Sequence, residues 1–195
     1  MWLLCAMAFA NPEYRLAPEA PEVKDEYQRQ RGRQLVCTSF AEKLQLCYRY
    51  ENGKKLPYVT QKDVRRWNIS VEQIHEKATK KALSQVQDRR FRFEKIANMD
   101  SGYWISDKKD GWDAAALLHP KRLRQLLGRK ALVAIPQAGT FIFWEAGNPM
   151  LNKIMAVGIR EIYDNSNHPV SSSIYHHKDG KWIVWGEAVV APENK

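Results

Sequence analysis

Apolar residues recur along this chain in two rhythms, one suited to strands and one to helices. From Ala131 to Trp144 it reads ALVAIPQAGTFIFW, two nearly continuous apolar runs around Pro136, Gln137, Ala138 and Gly139. Short apolar runs broken by turn formers predict two buried strands, Ala131–Ile135 and Thr140–Trp144, forming the central pair of a sheet, with the interruption as their turn. LVCTSFAEKLQLCYRY predicts a second hairpin centred on Glu42. Phe91 to Asn98 alternates apolar and polar residues, and GYWIS after Ser101 supplies its partner strand. SSIYHHKDGKWIVWGE carries the strongest hairpin signal, Asp179 and Gly180 between aromatic-rich strands.

The helical rhythm fills the gaps. Thr60 followed by Asp63 predicts a helix start, with Val64 and Trp67 on its apolar side. Ser70 with Gln73 forms a capping box ahead of a longer helix, whose stripe is Val71, Ile74, Ala78, Ala82 and Val86. Residues 107–130 predict a helix or helix pair, with Pro120 in a first turn and Gly128 at an end. Asn148 and Pro149 open another helix, with Leu151, Ile154, Met155, Gly158 and Ile162 as its stripe. The expected fold is α+β: an antiparallel sheet with helices packed on one face, built from hairpins alternating with helices. Residues 11–33, rich in proline and charge with little periodicity, read as a linker or arm, and residues 34–190 as a single α+β domain.

Charge sharpens this picture. The formal net charge is +9, and residues 54–130 carry all of the excess, nineteen Lys and Arg against nine Asp and Glu. Lys121, Arg122, Arg124, Arg129 and Lys130 contain no acid among them, and Arg89, Arg90 and Arg92 precede or enter a strand with Phe91 and Phe93. A patch of this kind attracts anionic partners, although long helices also carry such residues as a solvated face. The first residues, Met1 to Ala10, form a short apolar run ending in Ala8, Phe9 and Ala10, as a cleaved signal peptide does, but lack a positive start. That run is too short to span a membrane. Cys37 and Cys47 are equidistant from Glu42, so the hairpin places them opposite one another. Such a pair suits a cross-strand disulfide in an oxidising compartment, or two small buried apolar residues.

The residues that carry chemistry are scattered. His176 and His177 are adjacent and point to opposite faces of a strand, so they cannot serve one metal. Ser171, Ser172 and Ser173 stand close to those histidines but lack the strand-turn-helix setting that exposes a nucleophile. Asp107, Asp110 and Asp113 lack the closing glutamate of a calcium loop, and none of the ten glycines forms a phosphate cradle. No cofactor is expected. The candidate binding surface is therefore the basic helical face together with Tyr175, Trp182 and Trp185 of the aromatic hairpin.

Three stretches, Tyr58 to Ala78, Trp112 to Pro136 and Asn167 to Trp182, resemble the YtpQ-like family of uncharacterised bacterial proteins over about residues 56–185. The resemblance implies an α+β domain without an established activity. Where that family's first core strand ends in proline followed by an Arg-Asp pair, this chain has Gln137, Ala138 and Gly139 without charge. The expected function is a non-enzymatic, exported binding domain for an acidic protein, an anionic lipid or an acidic glycan. The alternatives are a cytoplasmic nucleic-acid-binding protein and a serine hydrolase built on Ser171–Ser173 with His176 or His177.

Overall fold

The computed structural model describes residues 12–86, 91–106, 113–127 and 130–189. The fold is α+β, with two antiparallel sheets where a single one was expected. The smaller sheet holds β1 (Tyr14–Glu19), β2 (Cys37–Ala41) and β3 (Leu44–Tyr50) in the order β1-β3-β2. The larger sheet holds β4 (Phe91–Lys95), β5 (Gly102–Ser106), β6 (Ala131–Ala134), β7 (Ile142–Glu145), β8 (Ser173–Lys178) and β9 (Lys181–Glu187). Its order is β4-β5-β7-β6-β8-β9, so the hairpin around Pro136 to Gly139 supplies the two central strands.

The near-continuous apolar runs of β6 and β7 follow from burial on both faces. Val133 and Phe143 point into one core, which also contains Leu46 and Tyr48 of β3 and Ile74, Ala78, Ala82 and Val86 of α3 (Val71–Val86). Leu132, Ala134, Ile142 and Trp144 point the other way, onto Leu151, Met155, Ala156 and Ile159 of α5 (Pro149–Asp164). Helices thus cover both faces of the larger sheet, not one. The stripe of α5 runs at four-residue steps through 151, 155 and 159, which leaves Ile154 at the surface.

Local chemistry starts the helices where the sequence places them. Thr60 caps α2 (Gln61–Trp67) through a reciprocal pair with Asp63, and Ser70 pairs in the same manner with Gln73. Asn148 Oδ1 accepts from the backbone of Met150 and Leu151 to open α5. At the β8–β9 turn Asp179 and Gly180 both adopt positive φ, 47° and 81°, as a two-residue hairpin turn needs.

Within the stretch read as a linker or arm, residues 12–33 carry a strand and a helix. Tyr14 and Leu16 of β1 face the first core, and β1 pairs along its length with β3. Pro18 is compatible because β1 is an edge strand, where a missing N–H removes no ladder bond. The following helix, α1 (Glu22–Arg31), buries no residue completely, which explains why it leaves no apolar stripe in the sequence. Cys37 lies opposite Cys47 across β2 and β3, with 4.0 Å between their Cα atoms, and the two form a disulfide. No helix among the described residues is long and apolar enough to cross a membrane.

Candidate binding surface

The hairpin β8–β9 divides its side chains by strand alternation, with Tyr175 opposite Val184, His176 opposite Ile183 and His177 opposite Trp182. Tyr175 and Trp182 face the first core and are buried. The Tyr175 hydroxyl pairs with Ser171 Oγ at 2.7 Å, and Trp182 Nε1 donates to the Leu117 carbonyl at 2.9 Å. Neither residue can belong to a binding surface, because a side chain committed to the core offers no area to a partner. Trp185 is different: at 45 % exposure it is a large aromatic in solvent, beside an irregularity in the β8 register.

The structure brings Trp185 to the end of the basic run. Trp185, His176 and Lys130 line one open cavity of about 370 Å³ whose floor is Ala131, Leu132 and Ala146. The Lys130 carbonyl accepts from Ala146 N at 2.8 Å, which ties the start of β6 to the end of β7 and fixes this corner. An exposed indole, an imidazole and an ammonium thus line one cavity over the start of β6 and the neighbouring strands β8 and β9.

Exposed cations lie on both faces of the hairpin. Lys178 and Lys181 stand on either side of its turn, whereas Lys121 and Arg124 belong to α4 (Pro120–Leu127), which packs through Leu123 and Leu127 into the first core, on the face opposite His176 and Trp185. The bond from Trp182 to Leu117, in the short 3-10 turn before α4, fastens this helix to the hairpin. Burial, and then the nearby Arg124 charge, hold the His177 imidazole below its ordinary pKa. Among the described residues Lys121, Arg124, Lys130, Lys178 and Lys181 form no ion pair, and Asp179 is the one acid in the turn itself. Arg89, Arg90 and Arg129 lie outside the described residues, as does the side chain of Arg122.

The serine run is engaged elsewhere. Ser171 Oγ pairs with Tyr175, and Ser173 Oγ and Ser172 Oγ donate to Glu187 at 2.9 and 3.4 Å. Lys43 reaches the same carboxylate at 2.8 Å. Burial favours protonation of Glu187, but the bonds from Lys43 and Ser173 outweigh it and hold its pKa low. No serine hydroxyl among the described residues bonds to a histidine ring, and Ser171, Ser172 and Ser173 are paired with Tyr175 and Glu187 instead, so the nucleophile and base of a hydrolase are not assembled here. Nor do three or more His, Cys, Asp or Glu side chains among the described residues converge as a metal would require.

A second concavity was not visible in the sequence. About 580 Å³ lies between α1, the smaller sheet and the loops around Ala138 and His168, lined by Glu19, Tyr27, Arg49, Tyr58 and Asn167 among others. Arg49 Nη2 lies 3.1 Å from Glu19 Oε1, its guanidinium sits 4.1 Å from the centre of the Tyr58 ring, and the Tyr58 hydroxyl bonds to both partners. Burial, reinforced by the Glu19 carboxylate, keeps the Tyr58 hydroxyl protonated well above the ordinary tyrosine range. These residues come from four separate segments, each unremarkable alone, and one of those segments read as a linker.

Comparison of the chain with protein-family models, with curated proteins and with solved structures finds no match.

Proposed function

We propose that this protein is a non-catalytic, exported binding domain whose ligand is an acidic glycan. The observation that carries the reading is the meeting of Lys130, His176 and Trp185 around one open cavity. An indole offers a flat apolar face to the C–H side of a sugar ring, while a neighbouring ammonium meets its carboxylate or sulfate. Lys178 and Lys181 extend the positive field over a longer anionic chain. A disulfide between Cys37 and Cys47 is in keeping with an oxidising compartment, where such glycans occur.

The test is retention on immobilised polygalacturonate and on heparin in a salt gradient, against phosphatidylglycerol vesicles and an acidic protein as competing surfaces. The expected outcome is retention on the glycans that falls as salt rises, because exposed charges are screened over about 8 Å at physiological ionic strength. Binding to vesicles or to the acidic protein with none to either glycan defeats the reading.

A further inference from the structure

The cleft between α1 and the smaller sheet holds a set of groups that the cationic surface does not use. Glu19 is buried, at 7 % exposure, yet it lines the cleft. Its Oε1 takes both Arg49 and Tyr58, while Oε2 accepts no hydrogen bond among the described residues. The volume, about 580 Å³, falls within the roughly 300–1,000 Å³ of small-molecule sites. The walls are also held in place. Gln137 bridges to Pro169, Ala138 N donates to the His168 carbonyl, and Val170 N donates to the Pro136 carbonyl.

Charge decides the class of ligand. An ammonium placed on Glu19 Oε2 would face the Arg49 guanidinium, already 3.1 Å from the other carboxylate oxygen. An anion would face Glu19 itself and Glu26 on the rim. A neutral hydroxyl donor meets neither repulsion and gives Oε2 the partner it lacks. Around it stand further planar polar groups, Gln30, Asn167 and His168, which suit ligands rich in paired hydroxyls. Tyr27 stands edge-on to Tyr58 at 5.6 Å, so the two rings form an aromatic wall for an apolar C–H face.

We infer that this cleft is a binding site for a neutral saccharide unit, with Glu19 Oε2 accepting from a sugar hydroxyl and Tyr27 packing against the ring. The site lies at the Ala138–Pro169 end of β6 and β8, whereas Lys178 and Lys181 mark the other end of β8. It does not rest on the acidic-glycan reading.

The experiment is amide chemical-shift mapping of the full chain with glucose, galactose, mannose and N-acetylglucosamine in turn, and with ethylammonium and inorganic phosphate as charged probes. At least one sugar is expected to move the amides around Glu19, Tyr27, Arg49, Tyr58 and His168. Tyr27→Ala, on a helix that buries no residue completely, is expected to weaken that sugar about tenfold with an unchanged Tm. Glu19→Gln is expected to weaken it while Lys130→Ala leaves it unchanged, which separates this site from the cationic surface. Shifts confined to the Trp185 cavity, full binding by Tyr27→Ala, or a response in the cleft to the charged probes alone would overturn the inference.

Discussion

Two tryptophans three positions apart on one strand do opposite work. Trp182 is buried and anchors the turn before α4 through Leu117, so Trp182→Ala should cost about 3–5 kcal/mol, read as a large fall in denaturation midpoint. Trp185 is exposed, so Trp185→Ala should leave that midpoint nearly unchanged while weakening the acidic glycan. The spacing contains part of this result: residues three apart on a strand face opposite ways, so the two indoles could not share a surface. What alternation cannot say is which face a neighbouring helix covers, and that depends on the packing of α3, α4 and the smaller sheet. Glu187 gives a residue-level dependence on pH. Its folded pKa lies below the usual glutamate value, so its stabilising contribution is present above that value and is lost as pH falls through the folded one. The gap in thermal midpoint between the native protein and Glu187→Gln should therefore be widest near neutrality and close in acid.

At the scale of elements, the β2–β3 hairpin and α1 show what patterning reveals and what it hides. The hairpin is legible because Cys37 and Cys47 stand equally far from its centre, and the observed register pairs them. Opening the disulfide frees a loop with a sequence separation of 10, so reduction, or Cys37→Ser with Cys47→Ser, should cost about 2–3 kcal/mol. Denaturant melts with and without reductant would measure it, and equal midpoints would show that the bond constrains little. The strand β1 is not legible, because only alternate residues of an edge strand enter the core and prolines surround it. Helix α1 buries no residue fully and so has no stripe to detect, although Tyr27 contributes a wall to the cleft.

Over the whole molecule, the larger sheet separates two cores and carries concavities of opposite character near the two ends of β6 and β8. The acid-free basic run is legible in the sequence. Its union with the β8–β9 hairpin is not, because contacts such as Trp182 to Leu117 join residues 65 apart in the chain. The turn at Pro136 to Gly139 also gains meaning only in three dimensions. It carries no charge, yet Ala138 lines the cleft, and its backbone N–H ties it to the loop at His168.

The central claim is that Lys130, His176 and Trp185 receive an acidic sugar. Amide chemical-shift mapping during titration with a polygalacturonate oligomer tests it most directly. Shifts should cluster at Lys130, His176 and Trp185, spread to Lys178 and Lys181, shrink as salt rises, and be lost in Trp185→Ala with Lys130→Ala. Saturable binding whose shifts lie away from that corner, or which survives the double substitution unchanged, would contradict the claim.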